Sequence, residues 1–199
     1  MIDKKKYKLE ETNYHKEIYD KKQIIIGHSY RDDMLHYSSW VNRWNGNYTK
    51  TTTYTINLDG KIYEHYNPKY WSDYLGVNQD KFNISITLSN IGWLKKDLNN
   101  DYKDWLGHIY KGNDIIIKKW RNHQYWKNYT EEQLKSLSSL IKKLCKDFNI
   151  NKEVIEHNVY DDSIDLFDGI VFKSNYYQEI TDVSPAFDIS HIKKIENYG

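Results

Sequence analysis

The hydrophobic pattern along the chain predicts several short strands. Residues 24–26 form a continuous β-branched run, and apolar residues alternate with polar ones from Phe82 to Leu88, the pattern of a half-buried strand. Two further strand-like runs flank Asp59 and Gly60, a pair typical of a hairpin turn. With a short apolar run before His157, these patterns predict strands near 24–28, 52–58, 61–66, 83–89 and 154–157.

Two segments carry apolar residues at helical spacing. The stronger is 131–148, where leucine and isoleucine residues share one stripe. Thr130 and Gln133 form the sequence pattern of a capping box, which indicates where this helix starts. A second helix is predicted near 32–44, and a final one is expected to begin near Asp188.

No internal repeat and no linker rich in Pro, Gly or Ser divides the sequence, so we expect one domain. Residues 1–23 are expected to be a lead-in, and residues 24–199 the domain itself. Within it, residues 92–128 are expected to be an insertion with a short strand at 114–117 and irregular aromatic packing. Residues 158–181 are polar and predict a loop. The order of elements predicts an α/β fold with a central mixed sheet flanked by helices.

Composition narrows the classes of function. The chain has 199 residues with 29 basic and 28 acidic side chains and a formal charge of +1, which argues against a general nucleic-acid or anionic-membrane binder. No apolar run is long enough to span a membrane, and the N-terminus lacks the apolar core of a secretory signal. We therefore expect the protein to stay in a cytoplasm until it is released. The one cysteine, Cys145, excludes an internal disulfide.

Two of the eight histidines stand out because each directly follows a short apolar strand. These are His28 and His157, and strand ends are where α/β proteins build their sites. Two imidazoles and one carboxylate form a common catalytic zinc set, which leaves the fourth position for water. Two histidines at strand ends are also compatible with structural roles, so this pattern alone leaves the choice open.

A resemblance to a known family supplies the carboxylate. Residues 181–188, T-D-V-S-P-A-F-D, resemble the T-D-P-G-P-A-F-D signature of zinc-dependent N-acetylmuramoyl-L-alanine amidases, the amidase type 2 and peptidoglycan-recognition family. Residues 24–29 resemble the opening strand of that family, and residues 154–157 resemble its later strand that ends in a histidine. The resemblance implies that the zinc ligands are His28, His157 and Asp182.

Three further segments match in the family's order, so the likeness runs from about residue 24 to residue 188. Residues 53–63 resemble the family's hairpin, residues 83–90 its S-I-G-I-E-L-x-N strand, and residues 129–134 the Y-T-x-x-Q-L start of its helix. A loop that begins at Trp71 takes the place of the family's W-H-A-G segment. The resemblance implies substrate contacts by Tyr54, Trp71, Thr87 and Asn83.

The resemblance, which extends to lysins of gut phages, implies a peptidoglycan hydrolase. Such an enzyme cleaves the amide between N-acetylmuramic acid and L-alanine with zinc-activated water. Lys173 and Tyr74 are the candidates for holding the oxyanion that develops in this reaction. The expected partner is bacterial peptidoglycan, with no nucleic acid or membrane, and the protein is expected to be a monomer that waits in the host cytoplasm before it acts on the cell wall.

The sequence departs from the family pattern at positions that handle protons. Thr87 stands where many members have a Glu, and Thr52 stands where many have a Tyr. Ile180 takes the place of a Lys or Thr found in many members, and Tyr74 takes the place of the His in the W-H-A-G loop. These departures favour an alternative function, a catalytically silent peptidoglycan-binding module of the same fold. A zinc peptidase that acts on another amide is a third hypothesis.

Overall fold

The computed structural model describes residues 1–193. Its strands are β1 (Ile2–Asp3), β2 (Gln23–His28), β3 (Tyr54–Ile56), β4 (Ile62–Glu64), β5 (Asn83–Leu88), β6 (Trp93–Lys96), β7 (Tyr102–Lys103), β8 (Ile109–Tyr110), β9 (Ile115–Trp120), β10 (His123–Lys127) and β11 (Gly169–Phe172). Its α-helices are α1 (Leu35–Asn42), α2 (Glu131–Phe148), α3 (Lys173–Tyr176) and α4 (Ser190–Lys193).

The first sheet has six strands in the order β1-β4-β3-β5-β2-β11. Strands β3, β5, β2 and β11 run parallel, so their carboxyl ends meet at one edge, while β4 runs antiparallel to β3. Strand β2 lies between β5 and β11 and is buried along its whole length. A strand covered on both faces needs a continuous apolar run, which residues 24–26 provide. The predicted α/β fold with a mixed sheet is confirmed.

Helix α2 covers one face of this sheet and is anchored at its start. Thr130 Oγ1 accepts a hydrogen bond from the Gln133 N–H at 3.1 Å, and Gln133 Oε1 accepts one from the Thr130 N–H at 3.2 Å. The Gln133 amide also donates to the carbonyls of Ile56 and Ser89 at 3.2 and 2.8 Å. The capping box predicted from sequence is therefore present, and it also holds the helix against the carboxyl ends of β3 and β5.

Residues 92–128 form a second sheet, where the sequence predicts an insertion with only one short strand. Its five antiparallel strands follow the order β8-β7-β6-β10-β9. Leu94 and Trp126 are its fully buried side chains, and the isoleucines and lysines of β9 are half-buried or exposed. Because so little of this sheet is buried, the sequence lacks the alternation that marks a half-buried strand.

The strand that completes the first sheet lies where the sequence predicts a loop. Strand β11 pairs in parallel with β2, with Phe172 opposite Ile26. The strand predicted over 154–157 is wrong, because only Val154 forms a bridge, to Ile170 of β11. Both runs are about four residues long, and a run this short shows no periodicity that would tell a sheet strand from an edge contact.

Smaller differences concern the ends of elements. Helix α1 ends at Asn42 because the next four residues form a 3₁₀ turn with left-handed backbone at two of them. The lead-in contributes β1, which pairs with the edge strand β4. Helix α4 begins two residues after the expected position at Asp188.

Within residues 1–193, no helix combines the length and apolar character that crossing a membrane would require.

Candidate functional site

A cleft of about 650 Å³ opens at the edge where the parallel strands of the first sheet end. His28 at the end of β2, Thr87 near the end of β5 and Lys173 just after β11 form part of its lining. Its aromatic lining residues, apart from histidines, are Tyr30, Trp40, Tyr48, Tyr74, Trp93 and Trp105. The charged lining residues, apart from histidines, are Arg31, Arg43, Lys50, Lys173 and Glu179. The cleft therefore combines aromatic walls with an excess of positive charge.

Asp182 is a fully buried carboxylate behind the strand ends. It accepts a hydrogen bond from the His28 backbone N–H at 3.3 Å and one from the Tyr30 hydroxyl at 3.2 Å. The Nζ atom of Lys173 lies 3.9 Å from its Oδ2 atom. A buried carboxylate needs such partners because burial removes the water that would otherwise solvate its charge. The structure thus brings His28 together with Lys173 and Asp182, which come much later in the sequence.

The His28 imidazole is enclosed on both sides. Its Nδ1 atom lies 2.9 Å from the Tyr129 hydroxyl, and that hydroxyl also accepts a hydrogen bond from the Ser184 N–H at 3.3 Å. Its Nε2 atom has no hydrogen-bond partner among the described residues and faces Gly92, where a Cβ atom would lie 2.8 Å away. Burial lowers the pKa of His28 to about 4, so the ring is neutral at pH 7.

Tyr74 lies in the cleft beside Lys173, whose Nζ atom is 4.8 Å from the centre of the tyrosine ring. The Thr87 hydroxyl donates a hydrogen bond to the Tyr74 oxygen at 3.3 Å. Burial, and secondarily the Asp182 carboxylate, raises the pKa of Tyr74, so its phenol keeps its proton. The two residues predicted to hold an oxyanion therefore lie side by side as hydrogen-bond donors.

His157 lies in a different environment. Its ring packs against Phe172 and Phe187, with ring centroids 5.5 and 5.7 Å apart. Burial lowers its pKa to about 4, and the charged groups that also act on this pKa are Glu156, Lys118, Lys193 and Asp188. His157 is absent from the lining of the cleft. The structure therefore does not bring this predicted ligand to His28 and Asp182.

The arrangement of donors does not fit the zinc site that the resemblance implies. Among residues 1–193, no three His, Cys, Asp or Glu side chains converge in a way that could hold a metal ion. The physical reason is the position of β11, because this strand lies next to β2 and is followed directly by Lys173 and not by a histidine. A protonated lysine has no lone pair with which to bind a metal.

Of the four residues predicted to contact substrate, Thr87 lines the cleft. Tyr54 is buried in the core, and its hydroxyl donates to Glu64 at 3.2 Å. Trp71 stacks on His15 with ring centroids 4.0 Å apart, outside the cleft lining. Asn83 begins β5 and so lies at the opposite end of that strand, about 16 Å from the cleft edge at the rise of an extended chain.

Sequence reasoning missed several residues that shape the site. Tyr30 has a φ of +57°, an uncommon backbone conformation for a non-glycine residue, and its ring lies 4.4 Å from that of His28. Trp105 donates from its indole nitrogen to the Tyr30 carbonyl at 2.8 Å, and Trp93 stacks on His123 at 4.3 Å. Tyr30 directly follows the matched segment 24–29, which is the one signal that could have indicated it.

Arg121 fixes the segment between Lys173 and Asp182. From the turn between β9 and β10, its guanidinium donates to the carbonyls of Ser174 at 2.9 Å and Tyr177 at 2.7 Å, and to that of Ile180. A planar guanidinium with several donors is suited to holding several carbonyls at once. The second sheet thus supports the loop that carries Asp182.

Replacing Arg121 by alanine is expected to increase amide hydrogen exchange over residues 174–181 by roughly tenfold or more, because three carbonyls lose a shared donor. Hydrogen–deuterium exchange with mass spectrometry measures this effect. Lys119→Ala removes an exposed positive charge from the same hairpin and serves as the control. Equal exchange in the Arg121→Ala protein and the wild type would contradict the anchoring role.

Comparisons with known proteins agree with this fold. The sequence matches the Amidase_2 family, described as N-acetylmuramoyl-L-alanine amidase, over residues 17–165, a range that stops before Lys173 and Asp182. No curated protein matches the sequence.

Solved structures share the architecture at low identity. The amidase LysC from Clostridium intestinale is 13% identical with a TM-score of 0.56, and the match covers 100% of this chain and 99% of LysC. The E. coli amidase AmiD, solved with an anhydromuramoyl peptide substrate, is 13% identical with a TM-score of 0.59, over 90% of this chain and 58% of AmiD. Peptidoglycan recognition protein LE, solved with a monomeric peptidoglycan, is 10% identical with a TM-score of 0.54. The match covers 100% of this chain and 93% of that protein.

Likeness at these identities shows the fold alone, whereas the family match extends over well over half of the sequence. On that match, the chain belongs to the Amidase_2 family of N-acetylmuramoyl-L-alanine amidases.

Proposed function

We propose that this chain binds the muramoyl-peptide part of bacterial peptidoglycan in the cleft at the strand ends. The observation that carries the proposal is the lining of this cleft, which presents Arg31, Arg43, Lys50 and Lys173 against one acidic residue, Glu179. A peptidoglycan stem peptide carries carboxylates, and guanidinium and ammonium groups pair with them. The volume of about 650 Å³ is in the range of sites that enclose a ligand of this size.

The aromatic walls suit the sugar part of such a ligand. Trp93 and Trp105 line the cleft from the side of the second sheet, and Trp40 lines it from helix α1. Flat aromatic rings offer a large apolar contact area at little cost in side-chain entropy. Relatives of this fold support the proposal, since AmiD and peptidoglycan recognition protein LE were each solved with a peptidoglycan fragment.

Binding is tested with N-acetylmuramoyl-L-alanyl-D-isoglutamine as the probe in isothermal titration calorimetry. Trp93→Ala is expected to weaken binding by roughly tenfold, because it removes an aromatic wall of the cleft. Trp44→Ala is the matched control, since Trp44 is 62% exposed and lies outside the cleft lining. Absence of binding by the wild type, or equal losses in the two variants, would contradict the proposal.

A second candidate function is hydrolysis of the amide between N-acetylmuramic acid and L-alanine, as in a lysin. The family match and the adjacency of His28 and Asp182 favour it. In this function, Lys173 and Tyr74 would hold the carbonyl oxygen of the amide as two hydrogen-bond donors. The residues present do not fit a three-ligand zinc site, so zinc chemistry supplies no step here.

A digest of purified peptidoglycan separates the two functions. Hydrolysis releases new L-alanine amino termini and free lactyl carboxylates, which mass spectrometry detects, whereas a binding module leaves the polymer intact. If cleavage occurs, Asp182→Ala and His28→Ala are expected to abolish it, because both side chains form the buried site. Products cut at another amide would instead indicate a peptidase.

A further inference from the structure

The ends of β2 and β11 bring two different side chains to one corner of the cleft. The strands are parallel neighbours with Phe172 opposite Ile26, so Lys173 follows at the level of Gly27, beside His28. The Lys173 side chain is 21% exposed, and its Nζ atom lies 3.9 Å from Asp182 Oδ2. A three-ligand zinc site that used His28 and Asp182 would need its third lone pair near this corner. The side chain at this corner is that of Lys173, whose ammonium donates hydrogen bonds and has no lone pair to give to a metal.

The charge of the buried carboxylate is already balanced by protein groups. Besides Lys173, the Arg121 guanidinium lies on this side of the site, where it donates to three carbonyls of the segment between Lys173 and Asp182. A divalent ion bound to Asp182 at this point would be repelled by the Lys173 ammonium, whose Nζ atom lies 3.9 Å from Asp182 Oδ2. The electrostatic environment of Asp182 therefore disfavours a metal ion and favours the ammonium that is present.

The imidazole of His28 is held in one orientation with one ring nitrogen free. Its Nδ1 atom is within hydrogen-bond distance of the Tyr129 hydroxyl, and its Nε2 atom has no hydrogen-bond partner among the described residues. Tyr129 is itself buried and fixed by the Ser184 N–H, so the contact is held by the core and not by a mobile surface group. The group that does not fit a zinc site is therefore Lys173, whose ammonium lies beside Asp182 where a third ligand would be needed.

We infer that this cleft is a metal-free site in which the Lys173 ammonium serves as the fixed cation and binds an oxygen of the ligand. The oxygen it suits is a carbonyl or carboxylate oxygen of the muramoyl peptide, and to this extent the inference rests on the proposed function. Lys173 reaches the cleft lining, while Asp182 behind it keeps the ammonium in place. The inferred ligand contact is a charge-assisted hydrogen bond.

Zinc binding by protein without an affinity tag tests the inference directly. Wild-type protein titrated with zinc chloride and then dialysed is expected to hold no stoichiometric zinc by elemental analysis. Lys173→His replaces the ammonium with an imidazole at the corner between His28 and Asp182, so it is expected to gain one equivalent of zinc. Lys173→Met, which removes the charge but adds no nitrogen, is the matched control and is expected to gain none.

Binding of N-acetylmuramoyl-L-alanyl-D-isoglutamine provides the second measurement. Its affinity for the wild type is expected to be the same with and without EDTA, and Lys173→Met is expected to weaken it by roughly tenfold. Stoichiometric zinc in the wild type that His157→Ala removes would overturn the inference and leave the proposed function intact. A Lys173→His protein with a wild-type circular dichroism spectrum and no zinc would also contradict it. Absence of probe binding by a zinc-free wild type would instead overturn the proposed function.

Discussion

Replacing Asp182 by alanine is expected to lower the free energy of unfolding by about 2–4 kcal/mol. The carboxylate is fully buried and accepts hydrogen bonds from the His28 N–H and the Tyr30 hydroxyl. Its removal leaves the His28 N–H without an acceptor and the Lys173 ammonium without its nearest counter-charge, while the Tyr30 hydroxyl keeps Thr181 Oγ1 within 3.0 Å. Because Lys173 is 21% exposed, water offsets part of that loss, and the effect falls short of that of a fully buried ion pair. Urea denaturation followed by far-UV circular dichroism measures the change.

A double variant separates the charge from the hydrogen bonds. In the Asp182→Ala background, Lys173→Met is expected to recover about 1 kcal/mol, since it removes the ammonium that the first change leaves unpaired. The exposed Asp20 supplies the control, and Asp20→Ala is expected to change stability by less than about 0.5 kcal/mol. Additive effects of the Asp182 and Lys173 changes would show that the two charges do not interact.

The elements with strong local signals were predictable from sequence. The run 24–26 predicts β2 because three β-branched residues in succession fit a strand buried on both faces. Thr130 and Gln133 predict the start of α2 because a capping box depends on residues three apart in sequence. The second sheet was missed for the opposite reason, since its strands are stabilised by pairing with one another and bury few side chains.

The site was predictable only where a residue lies inside a distinctive motif. His28 and Asp182 were found from the segments that contain them, and the structure brings them into contact. Lys173 was a candidate oxyanion donor, but its closeness to Asp182 depends on β11 pairing with β2, which no local pattern encodes. Residues 154–157 predict His157 as a ligand because they look like a strand that ends in histidine. Which of two short apolar runs joins the sheet is decided by tertiary packing.

Gly27 is the position where one added methyl group is expected to damage the cleft most. A Cβ atom at Gly27 would lie 2.2 Å from the Tyr74 hydroxyl oxygen and 2.7 Å from Asp182 Oδ2, and β2 is too deeply buried to move aside. Gly27→Ala is therefore expected to destabilise the fold by about 1–3 kcal/mol, the usual cost of overpacking a core. Because Tyr74 and Asp182 must both shift, binding of N-acetylmuramoyl-L-alanyl-D-isoglutamine is expected to weaken by roughly tenfold or more.

The identity of the clashing atom makes this prediction specific. Tyr74→Phe removes the oxygen 2.2 Å from the added methyl, and the next nearest atom of that ring, Cζ, lies at an acceptable 3.4 Å. In the Gly27→Ala background, Tyr74→Phe is therefore expected to recover about half of the lost stability. The other half stays lost because the added methyl still lies too close to Asp182 Oδ2. Tyr74→Phe alone, measured by the same urea titration, gives the cost of losing the hydroxyl. No recovery in the double variant would mean that the methyl group acts through the backbone of β2 and not through Tyr74.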